Sequence, residues 1–570
     1  MARAKTAGIP RHFRTAEAAG RFWDTHDLAD HWDQTDPASV AFHLQRQSHI
    51  TARGSGKLVS VSKDALRFAI ANVRNFYDSD FFPTLGDYRA IQSLQADTVD
   101  HLSAIDLSKY SPKEPRIAAA PKPGGGFRVV HQLHPLDHII YTAVAFEFGS
   151  DIEAQRPRPE ARVACSYRIA LDARSGSFFA QESGYSTFIA RSAELAATHQ
   201  WVLVADITDF YNQIYSHRLR GNLSYCNSTK DDLALALEKF LHGINDSGAS
   251  KGIPVGPPAS IVFAEASLLD IDQFISNRGK PHVRYVDDIR IFGNSRRELM
   301  ALLEQLSLYL YQNHRLSLSS QKTKLLSRNT FVGEYVKSPE ADERVRIHDR
   351  LEEFADVTDL YAVDLGTRPV GQRHRGEIQR QVLCDLMDDI CSKPVLDLGL
   401  ARHVLRRCRK LRTVLIVDQL LRHFDLFAPV VRDVVLYLDE VASPSYLRRN
   451  EALIAEIIGS SETVALDYVR FWVGYFIGLK LPFFTDPLFH RFVFEGPHLD
   501  NQAVAALRIR DLSWVRERKV QFDSLGDRER RAVLHASFVM PKDERHHWLD
   551  VLTPRDYLEA LVIRWVRSHS

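Results

Sequence analysis

Asp287 and Asp288 stand side by side between two short apolar, β-branched runs, His282–Val286 and Ile289–Phe292, and Gly293-Asn294 closes the second. This pattern predicts a hairpin with the two aspartates at its turn. A third run, Trp201-Val-Leu-Val-Ala205, has strand length and ends at Asp206. Three strand ends can aim their carboxylates at one point. Crowded carboxylates repel unless cations lie among them. Their oxygens are hard ligands suited to Mg²⁺, which keeps waters and takes further ligands from phosphates. Two such ions roughly 3.5–4 Å apart activate an attacking hydroxyl and stabilise a leaving oxygen in phosphoryl displacement. A single aspartate at a strand end is ordinarily a cap or a solvated turn. Tyr-Val-Asp-Asp between two strands, with a third aspartate ending another strand, fits that bland reading poorly.

The rest of the chain limits what surrounds this constellation. Its 570 residues suggest about three or four domains. With 45% hydrophobic and 25% charged residues it can bury sizeable cores, which excludes global disorder. A net charge of +1 excludes a protein basic overall but allows a local basic groove. Five cysteines without a C-x-x-C pair fit a reducing compartment and argue against a disulfide scaffold or structural zinc. The stretch Phe471–Phe484 is cut by Lys480 and falls short of the ~18 apolar residues of a membrane span. MARAKTAGIPRHFR lacks an apolar signal core, so no membrane association and a cytoplasmic location are expected.

Four regions stand out. Residues 1–50 are rich in charge and His. Residues 51–115 mix helical patches with Pro83, Gly86 and Pro112. Residues 116–340 alternate short β-branched runs with Gly/Pro turns. Here Leu233–Leu241 and Ser260–Phe274 read as helices, and Gly252-Ile-Pro-Val-Gly-Pro-Pro258 as a forced turn. Residues 341–570 are helical in pattern, with helix-sized runs at Leu396–Leu411, Thr413–Phe424, Val430–Val441, Ala452–Ile458 and Thr463–Tyr475. Stacked helical repeats and one irregular bundle both fit them.

These motifs resemble those of reverse transcriptases, in order. Pro121-Lys-Pro-Gly-Gly-Gly-Phe-Arg128 resembles the basic fingers hairpin, Asp206-Ile-Thr-Asp-Phe-Tyr211 motif A, and Gly252-Ile-Pro-Val-Gly-Pro257 motif B. Arg284-Tyr-Val-Asp-Asp-Ile289 resembles motif C and Leu316–Thr323 motif D. The resemblance covers roughly 115–335. It implies an α+β fold, a right-handed polymerase with fingers and palm, followed by an all-α, helical-repeat-like domain where a thumb would be. It also implies catalysis by Asp206, Asp287 and Asp288 with two Mg²⁺ ions, dNTPs as substrate and DNA as product. Lys322 matches the motif D lysine, which would give a proton to departing pyrophosphate. Lys122 and Arg128 flank a Gly-rich turn of the kind that approaches a triphosphate. Tyr211 falls where the family has a bulky gate under the sugar, favouring dNTPs. Phe210 beside it suits the palm core. Phe210, Tyr211, Val255, Gly256, Lys122 and Arg128 form the expected nucleotide-binding set. Arg402, Arg406, Arg409 and Lys410 have near-helical spacing, which suits a nucleic-acid backbone or a solvated helix face.

Val255 stands where the family usually has Gln, which puts ordinary templated substrate handling in doubt. Motif B, Ser166-Tyr-Arg168 and Asp78-Ser-Asp-Phe-Phe-Pro83 are also similar to bacterial abortive-infection and defence-associated reverse transcriptases, over about 65–570. That likeness implies antiphage defence and, in some members, DNA made without a template from the enzyme's own residue. The alternatives are a templated enzyme copying a bound non-coding RNA, as in mobile elements or retrons, and a non-catalytic nucleic-acid-binding scaffold. The leader, with Phe22-Trp-Asp-Thr-His-Asp-Leu28 and Ser39-Val-Ala-Phe-His-Leu44, resembles the opening of ribbon-helix-helix antitoxins. It is read as a docking or homo-oligomerisation element.

Overall fold

The computed structural model describes residues 58–336, except 77–80, 84–85, 181–183 and 246–248, and residues 373–569, with side chains from 383 onward. The leader 1–50, the start of the Asp78–Pro83 motif and residues 341–372 lie outside the described residues.

At the centre is a four-stranded antiparallel sheet in the order β6-β7-β5-β8, where β5 is Trp201–Asp206, β6 His282–Tyr285, β7 Asp288–Gly293 and β8 Lys324–Ser327. Alternate side chains enter two different cores. Leu203, Ile289 and Ile291 join the main core, while Val202, Val204, Val283 and Phe292 meet Phe188, Leu195 and Phe331 on the other face. Burial on both faces explains the near-continuous apolar runs that identify these strands in the sequence. On the main-core side lies helix Ala259–Ser276, which follows the two prolines of the Gly252–Pro258 segment and is buried along most of its length. Helix Arg296–His314 is capped by Ser295, whose hydroxyl accepts the Glu298 N–H.

Two strands, β1 (Arg116–Pro121) and β2 (Phe127–Gln132), form the separate hairpin that carries Lys122 and Arg128. Its turn contains Gly124, Gly125 and Gly126 at φ 72°, 107° and 80°. Side chains rarely adopt these values, and so the sequence needs three consecutive glycines. Strands β3 (Ile169–Asp172) and β4 (Ser177–Phe179) form a second small hairpin.

Among the described residues, 373–569 contain helices and no strand, in keeping with the expected all-helical region. Expected helices are found at Leu398–Lys410, Val417–Arg422, Val431–Val441, Glu451–Ser460 and Asp467–Lys480, the last preceded by a separate short turn, Thr463–Ala465. This region contacts the β1–β2 hairpin and the N-terminal helices. Ala120 and Val130 of the hairpin share a core with Phe82, Leu400, Tyr468, Phe471 and Trp472. The Arg116 guanidinium lies 3.9 Å from the Phe471 ring centre and 5.2 Å from that of Phe82. It also faces Asp500 at 3.5 Å. Arg531 and His535 converge on Asp87 at 3.2 and 3.3 Å, and Trp565 Nε1 donates to Ser93 Oγ at 3.1 Å.

Candidate active site

Register brings the carboxylates together. Asp206, the last residue of β5, pairs with Asp288, the first residue of β7. Such partners sit about 4.5–5.5 Å apart at Cα. The turn before β7 is Val286-Asp287, because Tyr285 pairs with Asp288. This corrects the expected Asp287-Asp288 turn by one residue. Asp287 rides on the turn, and Asp288 belongs to the strand. Val286 adopts φ 52°, an uncommon conformation for a β-branched residue.

Lys322 completes the group. Its ammonium donates to both Asp206 oxygens, at 3.0 and 3.1 Å. The loop bearing it is tied to β5 where Ser319 N–H donates to the Asp206 carbonyl at 2.8 Å and Thr208 N–H donates to the Ser317 carbonyl at 2.9 Å. Burial, helped by the Asp206 charge, pushes the Asp287 carboxyl up to about 6. Burial also raises Asp288, against the pull of Arg290, whose guanidinium lies 3.6 Å from its Oδ2. The Asp288 side chain is 37% exposed, yet its Oδ1 is sealed from solvent and has no hydrogen-bond partner.

Among the described residues, no three carboxylate, imidazole or thiolate groups are already drawn together closely enough to hold a metal ion. The donor set nonetheless fits a hard divalent cation. It offers an unsatisfied carboxylate oxygen on Asp288, an Asp287 carboxyl raised by burial and by the Asp206 charge, and an Asp206 carboxylate whose cation is supplied by Lys322.

The remaining predicted residues fall into three places. Phe210 is buried in the main core, and Tyr211 is half-buried beside it with ring centres 5.7 Å apart. The Tyr211 carbonyl accepts the Ile253 N–H at 2.9 Å, which fixes the Gly252–Pro257 segment against motif A. Gly252 needs its hydrogen side chain there: its φ is 96°, and a Cβ would meet the Asn212 carbonyl oxygen at 3.3 Å. Gly256, at φ 142°, occupies the same segment. Val255 is bound at both backbone groups by one residue of β2. Its N–H donates to His131 Nδ1 at 3.2 Å, and its carbonyl accepts the His131 N–H at 2.9 Å. Lys122 and Arg128 are exposed on the hairpin that this contact fastens. Arg402 and Arg406 both point at the buried Asp433 of the next long helix, at 3.4 and 3.2 Å. Arg409 and Lys410 lie in the last turn of helix Leu398–Lys410.

Sequence reasoning missed the support beneath the motif C turn. Ser166, Glu265, Asp272 and Arg284 are all buried and bonded to one another there. The one signal was an arginine within an otherwise apolar strand, together with a glutamate and an aspartate inside a helix that reads as core.

Residues 120–346 match the family model described as reverse transcriptase (RNA-dependent DNA polymerase). The chain carries a reverse transcriptase domain and is an enzyme of the RNA-directed DNA polymerase class, a nucleotidyltransferase. Such domains act on nucleotides with nucleic acid as template and product, and generally use divalent cations. No curated protein matches the chain. Among solved structures it is similar to telomerase from Candida albicans in complex with a TWJ fragment of telomeric RNA, at 13% identity, 67% of this chain against 70% of that chain, and a TM-score of 0.30. It is also similar to apo telomerase from Candida tropicalis, at 12% identity, 70% against 73%, and a TM-score of 0.29. No helix among the described residues is long and apolar enough to cross a membrane.

Proposed function

We propose that this protein polymerises dNTPs into DNA, with Asp206, Asp287 and Asp288 holding Mg²⁺ ions. The observation that carries the reading is the cross-strand pair Asp206–Asp288, with Asp287 on the adjoining turn and Lys322 on Asp206. When bound, the ions supply charge neutralisation for phosphoryl transfer. The chain's own residues do the rest. Lys322 neutralises Asp206 before substrate arrives, then protonates the leaving pyrophosphate. Tyr211 lies under the sugar and disfavours a 2′-hydroxyl. Lys122 and Arg128 meet the triphosphate from the glycine turn. The test is incorporation of labelled dNTP by the purified chain with and without Mg²⁺. Retained synthesis in an Asp287→Asn/Asp288→Asn double variant would refute the assignment.

The cellular role we propose is antiphage defence, on the resemblance to abortive-infection reverse transcriptases. Cells expressing the chain should plate phage less efficiently than cells expressing the double variant, and equal plating would refute it. Two modes of synthesis have support. The family model's RNA-dependent class favours copying of a bound RNA. The apolar Val255, with both backbone groups engaged by His131, offers the nucleotide no side-chain hydrogen bond and favours a start from a hydroxyl of the protein itself. Mass spectrometry after nuclease and protease treatment separates them. A covalent peptide–nucleotide adduct supports self-priming, and protein-free DNA complementary to a co-purifying RNA supports copying.

A further inference from the structure

Val286 immediately precedes Asp287, and both of its backbone groups are held from below. Its N–H donates to Ser166 Oγ at 3.0 Å, and its carbonyl accepts from Arg284 Nη1 at 3.1 Å. These bonds pin two consecutive peptide planes, and Asp287 departs from the second. The strain of a β-branched residue at φ 52° persists only where surroundings over-determine it.

The surroundings form a buried network of charged groups. Ser166 Oγ donates onward to Glu265 Oε1 at 2.8 Å. Glu265 receives Arg284 at 2.9 Å and Arg156 at 3.1 Å, and Asp272 receives Arg284 through Nε at 2.9 Å and Nη2 at 2.8 Å. Burial opposes the Arg284 charge, but Asp272 and Glu265 outweigh it and raise its pKa. Arg156 also reaches Glu153 at 3.0 Å, and His282 Nε2 lies 3.6 Å from Asp272. Ser166 is fixed in turn by the backbone beside it, where Arg284 N–H donates to the Val163 carbonyl at 2.7 Å and Cys165 N–H to the Arg284 carbonyl at 2.9 Å. Its hydroxyl is the neutral link between this charged set and the turn.

We propose that Ser166 is a positioning residue for Asp287, acting through the Val286 amide and setting the geometry in which the carboxylate meets its cation. This rests on the polymerase reading of Asp287. A purely structural hydroxyl would affect stability alone. A positioning hydroxyl also affects metal use, because partners one step behind a metal ligand typically change metal affinity or activity about 10–100-fold.

The experiment compares wild type, Ser166→Ala, Ser166→Thr and Ser267→Ala in steady-state dNTP incorporation across a Mg²⁺ titration, with melting temperatures. Ser267 is the control. It is also a buried hydroxyl on the helix of Glu265, but it donates only to the Phe263 carbonyl, at 3.0 Å. Ser166→Ala should lower kcat about 10–100-fold and raise half-saturating Mg²⁺ about 10-fold. Its KM for dNTP should stay within about twofold. Ser166→Thr should recover most of the loss, and Ser267→Ala should keep the wild-type Mg²⁺ requirement. An unchanged Mg²⁺ requirement in Ser166→Ala would overturn the proposal. So would an equal shift in Ser267→Ala, or failure of Ser166→Thr to restore activity at a wild-type melting temperature. Wild type inert with dNTP and Mg²⁺ would overturn the polymerase reading itself, and this proposal with it.

Discussion

Lys322 holds Asp206 by both carboxylate oxygens, although the lysine side chain is 67% exposed and the aspartate 18%. An exposed ion pair contributes about 0–1 kcal/mol to stability. Lys322→Met should therefore alter unfolding by no more than about 1 kcal/mol. Its cost falls on turnover. Loss of a general acid typically lowers kcat about 10²–10⁴-fold, whereas a lysine that serves only to neutralise Asp206 before the metal binds would leave turnover at saturating Mg²⁺ nearly intact. Single-turnover kinetics of this variant would decide between the two roles.

Asp287 gives a pH test in metal-free buffer. Burial and the Asp206 charge push its carboxyl up to about 6, above the usual carboxylate value. The group thus costs no stability below the unfolded value; the cost grows between the two values and is complete above the folded one. Asp287→Asn removes that cost. Its melting temperature should match wild type near pH 4 and exceed it by about 2–4 °C above pH 6.5. Added Mg²⁺ should stabilise wild type and not the variant. A pH-independent difference between the two proteins would show that Asp287 is not electrostatically burdened.

Tyr211→Ala should raise rNTP use relative to dNTP. Discrimination by shape in a pocket is commonly about 10–200-fold, so a rise of about tenfold is the expected scale. The ring's contact with Phe210 means some stability is lost as well. Competition between the two nucleotide classes at matched protein stability separates the effects, and an unchanged ratio would reduce the ring to packing.

Gly125 sits at φ 107° with open space where a Cβ would go. Gly125→Ala therefore meets backbone strain and no clash, a local cost of about 1–2 kcal/mol. The effect should appear as a raised KM for dNTP with little change in global unfolding. A variant with normal KM would remove the hairpin turn from triphosphate binding.

The aspartates were legible because strands buried on both faces leave unbroken apolar runs, and Asp206, Asp287 and Asp288 interrupt those runs at their ends. The turn was misplaced by one residue because the Tyr285–Asp288 pairing is a property of register, which the local pattern does not contain. Strand β8 went unread since Lys324–Ser327 is a four-residue edge strand, partly exposed and without β-branched residues. Ser166 and Glu265 are 99 positions apart, and Ser166 and Val286 are 120 apart. No local spacing announces such contacts. The same holds for Asp433, which takes up Arg402 and Arg406 from a helix whose own periodicity suggested an open basic face.

Ala120 and Val130 of the hairpin pack into the core that Leu400, Tyr468 and Phe471 build. The polymerase half and the helical half therefore cannot be treated as interchangeable modules. A chain cut before residue 373 would strip those two hydrophobic residues of their cover and deprive Arg116 of both Phe471 and Asp500. Its glycine turn would remain covalently intact but would lose the surface that aims it. Grafting a foreign helical partner would require rebuilding that surface, and drift in either half is constrained by the shape of the other.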